Sequence, residues 1–338
     1  MSEPGALDVA LDDKGVHLPA LGLWLDPVRA APLAFVSHAH AARAAGDSGR
    51  VLTSPETLAI ARAVGTSAWD GDALGWQEAR ELPVDAARGG GVARVSIAPA
   101  GHMLGAAQLV VEHRDRRLVY AGDWSAEADA TRPAGAVVPC DELIVTTAFA
   151  LPIFRFAPPA QVLEELVAWC ATHVADGVTP VVLARTPGPA QAIVRALSAR
   201  GLPVSGDAEV QRACAAYEQL GVVLGPVPLH EAGASGRAVV ASPATRPTEL
   251  RPRGRFELAY ASPWAILDAA VEQRRADAAF ALADQADLDG LRSLVRACNA
   301  RRIVATRGDA RVFARLLGVD GVDVRALEAP AIDERGES

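Results

Sequence analysis

Three histidines and one aspartate stand where short apolar runs give way to loops. His38 and His40 lie two apart in FVSHAHA, directly after LAFVS. Residues i and i+2 of an extended chain point to the same side, so both imidazoles can face one cation. Two exposed loop histidines would have the same spacing. His102 follows Gly101 in PAGHMLGAAQ, immediately after ARVSIA. Glycine there lets the backbone turn sharply and approach a site closely. Asp123 follows Gly122 in RLVYAGDW, a position that also suits a turn residue or a helix cap. Three imidazoles and one carboxylate form a donor set suited to tetrahedral zinc. Asp26, in GLWLDP, either orients a ligand from behind or caps the turn before Pro27.

The elements that must carry these residues can be read from apolar periodicity. LAFVS, ARVSIAPA, AQLVVEH, RRLVYAGD and ELIVTT are short runs rich in β-formers. SPETLAIARAVG pairs a Ser cap with Pro at the first helical position and predicts a helix. From about residue 157 the rhythm becomes helix–strand–helix: PPAQVLEELVAWCATHVADG, TPVVLAR, GPAQAIVRALSARG, then the helix AEVQRACAAYEQLG. Such alternation predicts a parallel sheet. SPATRPTELRPRGRFE reads as turn-rich, and DLDGLRSLVRACNA, RRIVATRG and DARVFARLLG close the chain as helix, strand and helix. A β-rich part, an α/β part and a closing α/β piece predict an α/β protein with an inserted domain.

Composition narrows the classes. Half of the 338 residues are hydrophobic, ample for a large core. A net charge of −8 argues against a uniformly basic nucleic-acid binder and leaves room for a local basic groove. Lys14 is the sole lysine, so the positive charge is carried by arginine. Cys140, Cys170, Cys214 and Cys298 form no C-x-x-C pair and read as buried, reduced thiols. The first residues lack a basic start and an apolar core, and no apolar run approaches the roughly 18 residues of a membrane span. A soluble cytoplasmic protein without membrane association is expected.

The series LWLDP, FVSHAHA, PAGHMLGAAQ and YAGDW resembles the successive motifs of the metallo-β-lactamase fold. More narrowly it resembles the β-CASP nucleases, and most nearly the bacterial ligase-associated (mRNA 3′-end processing exonuclease-like) DNA exonucleases. VTTAFALPIFRFAPPAQVLEELVAW, VVLARTPGPAQ, FALADQADLDGL and RIVATRGD extend that resemblance over nearly the whole chain. It implies an αββα sandwich core, residues 1–155 and 262–338, with a β-CASP cap inserted over 156–261. It also implies two zinc ions and a hydroxide that attacks a phosphodiester. A two-metal clamp of that kind stabilises the attacking and leaving oxygens.

The departures from the pattern are concentrated. The second half of H-x-H-x-D-H is Ala42 and Arg43. Thr146 stands at the family's glutamate, Gln285 at the histidine that would donate a proton, Arg307 at a histidine of the second zinc, and Pro189 at a cap lysine. His38, His40, His102 and Asp123, the first zinc's positions, remain. Arginine cannot ligate, and a fixed charge about 4 Å from a divalent ion costs on the order of 8 kcal/mol at an effective dielectric of about 20. Glutamine cannot act as an acid, and losing a general acid costs about 10²- to 10⁴-fold. The expectation is therefore a nuclease homologue with at most one zinc, or none, that is inactive or severely impaired. It would retain DNA or RNA binding or contact DNA repair or ligase-associated proteins. The alternatives are an active one-zinc hydrolase using His38, His40, His102 and Asp123, and a scaffold of a DNA repair operon. Arg155 and Arg185 are candidate phosphate contacts. Arg251, Arg253, Arg255, Arg274 and Arg275 read as solvated, and Tyr120 and Trp124 as packing residues. Gln285 and Arg307 are expected across the cleft from the histidines, with Arg307, or failing that Arg43, paired to Asp123.

Overall fold

Residues 7–66, 71–250, 254–319 and 321–328 are described by the computed structural model. They fall into two units. One gathers the described residues up to Ala126, then Ala134–Arg155 and the chain from Gln285 onward; the other gathers Glu127–Pro133 and Phe156–Asp284. The protein is of the α/β class.

The first unit opens with a sheet of strands in chain order: β1 (Ala10–Asp12), β2 (Gly15–Leu18), β3 (Leu23–Leu25), β4 (Leu33–Phe35), β5 (Arg50–Thr53) and β6 (Asp72–Ala73). From β3 to β6 the neighbours are parallel. The one-turn α1 (Ala42–Ala45) and α2 (Pro55–Ala63) connect them. Ser54 caps α2 by accepting from the Thr57 N–H at 3.0 Å, with Pro55 in the first turn, as the sequence predicts. A second sheet is built from β7 (Ala79–Pro83), β8 (Val92–Pro99), β9 (Ala107–His113), β10 (Arg116–Tyr120) and β11 (Glu142–Thr147).

The second unit holds α3 (Pro159–Ala175), β12 (Thr179–Ala184), α4 (Pro189–Ala199), β13 (Val204–Gly206), α5 (Ala208–Gln219), β14 (Ala238–Ala241), α6 (Pro247–Leu250), β15 (Phe256–Ala261), α7 (Asp268–Arg274) and β16 (Ala278–Phe280). Its five strands form one parallel sheet in the order β13-β14-β12-β15-β16. Central β12 is buried throughout, which is why TPVVLA is a continuous apolar run rather than an alternating one. The sequence boundary at 261/262 falls between β15 and its neighbour β16, and residues 262–284 pack with this unit. Within the stretch read as turn-rich, α6 is a short helix, whereas 251–253, including Arg251 and Arg253, lie outside the described residues.

The chain ends in the first unit with α8 (Leu288–Cys298), β17 (Arg302–Gly308), α9 (Ala310–Val319) and β18 (Val324–Leu327). The second sheet thereby becomes β18-β17-β11-β10-β9-β8-β7. Alternation along its strands sorts side chains to two cores. Leu109, Val111, Leu118, Tyr120, Ile144 and Val304 face Leu23, Leu25, Phe35 and Leu52 of the first sheet. Val110, Val119, Leu143, Val145, Ile303 and Ala305 face Leu291, Leu294, Phe313 and Leu317 of α8 and α9. Two sheets therefore pack face to face, with helices on the outer side of the second. Strands β8, β10, β11 and β17 all run the same way, so their carboxyl ends open on one edge.

Candidate metal centre

The candidate residues lie at strand ends. His38 and His40 follow β4, His102 follows β8, Asp123 follows β10 and Thr146 lies near the end of β11. Gly101 makes the turn into His102 with φ +84° and forms an isolated bridge to Trp124. A Cβ at Gly101 would collide with the backbone of Ser125 and Gly135, so only glycine fits this approach.

The three imidazoles converge. His38 and His102 have ring centroids 4.8 Å apart, and each is 5.4 Å from His40. His102 and His38 are buried and His40 is half-buried. One ligand atom from each lies within 4.8 Å of the others, and this group could hold a metal ion. His102 Nε2 stands 3.3 Å from His40 Nδ1. Asp123 Oδ2 is 3.5 Å from His38 Nε2 and 4.0 Å from His102 Nε2. Metal–nitrogen bonds of about 2.0–2.1 Å in a tetrahedron set ligand–ligand edges of about 3.3–3.4 Å. The His40–His102 separation meets that figure and the Asp123–His38 separation is close to it.

Behind His38 lies a polar network that sequence reasoning only partly found. Asp26 is fully buried, with φ 43°. Its Oδ1 accepts the Ser37 N–H at 2.6 Å, and its Oδ2 accepts the Ser37 hydroxyl at 2.6 Å and the Tyr120 hydroxyl at 2.7 Å. Because the Ser37 hydrogen goes to Asp26, its oxygen, 2.8 Å from His38 Nδ1, is left to accept. His38 then carries its proton on Nδ1 and presents the Nε2 lone pair to the cluster. Asp26 thus orients His38 through Ser37. Burial, chiefly, pushes the Tyr120 phenol well above its ordinary range and keeps it a donor. Ser37, a hydroxyl directly before the first histidine, was a usable signal. Tyr120 gave none, because its alternation marks it as core.

Arg307 completes this network. Along the β11–β17 ladder Thr146 pairs with Thr306 and Thr147 with Gly308, which leaves Arg307 as the extra residue of a bulge, at φ 57°. Bulges re-aim side chains. Here the guanidinium is buried, with Nη1 3.6 Å from Asp26 Oδ2 and 3.2 Å from the Tyr120 oxygen, to which it donates. Its Nη2 donates to the carbonyls of Leu25 and Asp26. The expectation paired Arg307 with Asp123; the carboxylate found against its Nη1 is that of Asp26. Asp123 Oδ1 lies 3.1 Å from the Thr146 hydroxyl, and its Oδ2 accepts from Gln285 Nε2 at 3.1 Å. Gln285 therefore touches Asp123 rather than standing across a cleft from it. Ala42 is buried in α1 and Arg43 is exposed beside it. Arg155 is exposed where the chain leaves the first unit, and Arg185 is half-buried after β12 in the second. Trp124 packs in the core and donates to the Ala136 carbonyl at 3.1 Å, while Arg255 pairs with Glu257 at 3.2 Å. Arg274 donates to the Pro243 carbonyl at 2.8 Å.

No protein-family model matches the sequence. The chain is 30% identical over 316 residues to a protein named probable DNA ligase from Opitutus terrae (strain DSM 11246 / JCM 15787 / PB90-1). The alignment covers 93% of this chain and 30% of that protein, so the chain spans less than a third of its relative. Among solved structures it is similar to a protein of unknown function from Enterococcus faecalis V583. The TM-score is 0.60, covering 90% of this chain and 80% of that one at 12% identity. That likeness is one of fold alone. No described helix is long and apolar enough to cross a membrane.

Proposed function

We propose that this chain is a metallo-β-lactamase-fold homologue of the β-CASP DNA exonucleases whose two-metal centre has contracted to a single zinc site. In this reading it no longer cuts DNA and still associates with nucleic acid. The observation that carries the reading is the convergence of His38, His40 and His102, with Asp123 beside His38 and His102, next to replaced second-site positions. The donor set fits zinc in number, atom type and spacing. His38 would bind through Nε2, His102 through Nε2 and His40 through Nδ1. If Asp123 supplied a fourth donor, the residues would fill a tetrahedral set, as in structural rather than catalytic zinc sites.

The second ion is disfavoured by missing donors more than by bare charge. Arg307 is compensated by Asp26, so its repulsion of a nearby cation is far below the figure for an isolated guanidinium. Ala42, Thr146 and Gln285 supply neither an imidazole nor a carboxylate where the family pattern has one, and Thr146 and Gln285 instead hold Asp123 by hydrogen bonds. No group at Gln285 can protonate a leaving oxygen.

The DNA context is supported by the relative named as a probable DNA ligase, 30% of whose length aligns with nearly all of this chain. A role beside DNA-joining enzymes in repair, in the cytoplasm, follows from that reading, with the second unit as the cap and Arg155 and Arg185 as phosphate contacts. Elemental analysis combined with nuclease and DNA-retention assays tests it. The expected result is no more than one zinc per chain, no zinc-dependent digestion, and DNA retention that weakens with salt as phosphate contacts are screened. Two zinc equivalents or robust digestion would overturn it.

A further inference from the structure

The passage from β5 into α2 carries three hydroxyls, those of Thr53, Ser54 and Thr57, and all three residues are fully buried. A hydroxyl buried in a core needs an acceptor. Here the acceptors are main-chain carbonyls of the two loops that carry the histidines. The Thr53 hydroxyl donates to the Val36 carbonyl at 2.7 Å, two residues before His38. The Ser54 and Thr57 hydroxyls both donate to the Gly105 carbonyl, at 2.6 and 2.9 Å, three residues after His102. Both lone pairs of that oxygen are thereby used. Ser54 has two tasks, since the same oxygen that caps α2 donates across to Gly105.

The approach is close. Gly105 has φ +81°, and a Cβ there would stand 2.6 Å from the Thr57 nitrogen and 2.7 Å from the Glu56 Cβ. The loop after His102 therefore seats its backbone directly on the first turn of α2. Beyond Gly105 the Ala106 N–H closes the turn on the Met103 carbonyl at 3.0 Å, and the Ala107 N–H donates to the Ser37 carbonyl at 2.8 Å. Both histidine loops are thus fastened to one helix start and to each other.

We propose that Thr53, Ser54 and Thr57 are positioning residues of the metal centre, a hydroxyl bracket that sets the loop of His38 and His40 against the loop of His102. The proposal rests on the single-zinc reading above. Each hydroxyl is engaged with a carbonyl, so the bracket acts on an ion only through the imidazoles. Thr53 fixes where the first loop leaves β4, and Ser54 and Thr57 fix where the second loop turns back. The 3.3 Å between His102 Nε2 and His40 Nδ1 follows from that spacing. Ligand groups must be held to within about 0.5 Å to work together.

The test compares the unmodified full chain with a Thr53→Val, Thr57→Val double variant, which loses two hydroxyls and keeps the side-chain shapes. Amide exchange on chelator-treated protein reads the loops themselves, and should be faster over 36–41 and 101–106 in the double variant. Zinc affinity, measured by competition with a chelating dye, should fall about 10- to 100-fold. Serine at both positions (Thr53→Ser, Thr57→Ser) returns the hydroxyls and should restore both readings. Ile60→Val trims a fully buried side chain of the same helix, spares all three hydroxyls and should leave zinc affinity unchanged. Unaltered exchange in both loops would overturn the proposal. So would faster exchange with undiminished zinc affinity, or an Ile60→Val variant that loses zinc as readily as the double variant. If the unmodified chain takes up no zinc, the single-zinc reading falls, and exchange in the two loops alone decides whether the hydroxyls hold them.

Discussion

Replacing Arg307 with alanine isolates the energetic content of the network behind His38. The Asp26 carboxylate is fully buried, and Arg307 is the cation beside it, at 3.6 Å. Removing one partner of a buried pair costs about 3–5 kcal/mol because the other charge is stranded. Three donors remain on Asp26: the Ser37 N–H, the Ser37 hydroxyl and the Tyr120 hydroxyl. The pair is also not in tight contact. Both facts place Arg307→Ala at the low end, about 3 kcal/mol. Alanine gives no relief of strain, since the bulge keeps φ positive at this residue. Asp26→Asn removes the stranded charge, so the double variant should be less destabilised than the sum of the singles by about 1–3 kcal/mol. Urea unfolding of the full chain, followed by both circular dichroism and tryptophan fluorescence, measures this cycle. Two probes are needed because two units can unfold separately. A cost for Arg307→Ala below about 1 kcal/mol, or additivity within about 0.5 kcal/mol, would refute the reasoning.

Ser37→Ala should leave the fold intact and weaken zinc binding about 10- to 100-fold, the usual effect of removing a group that orients a metal-ligating histidine. Competition against a chelating dye reads it, and an unchanged affinity would show that Ser37 does not orient His38. Gly101→Ala places a methyl against the backbone of Ser125 and Gly135 and should cost roughly 1–3 kcal/mol or more, with loss of zinc binding as His102 shifts. Tight zinc binding with unchanged stability would refute it. Glu142 is pushed above the usual carboxylate range chiefly by burial, with Arg302 and Arg116 pulling the other way. The folded state then binds its proton more tightly than the unfolded one, so this group's contribution to stability falls as pH rises from the unfolded pKa to the folded one. Glu142→Gln should flatten stability against pH in that window, and an unaltered slope would count against it.

The residues that could hold a cation were legible in the sequence because their positions obey local rules. His38, His40, His102 and Asp123 each follow an apolar β-run, and strand ends are where side chains leave the core. The helices α2, α3, α4, α5, α8 and α9 were legible from local apolar periodicity, with a Ser cap marking the start of α2 and a Gly marking the end of α4. Strands of three or four residues such as β1, β13 and β16 were missed, since so few residues carry no measurable alternation and are fixed by their neighbours in a sheet. The partner of Arg307 was likewise beyond local reading. A one-residue bulge between β11 and β17 decides which way the guanidinium points, and a bulge depends on register with a strand about 160 residues earlier. Cys140 and Cys298 show the same limit: distant in chain, they share a backbone hydrogen bond only because β11 begins where α8 ends. Sequence determined which groups were available and which local conformations they prefer. Long-range strand register and the packing of α8 on the sheet decided which groups meet, because those contacts are set by burial between segments that carry no information about each other's position.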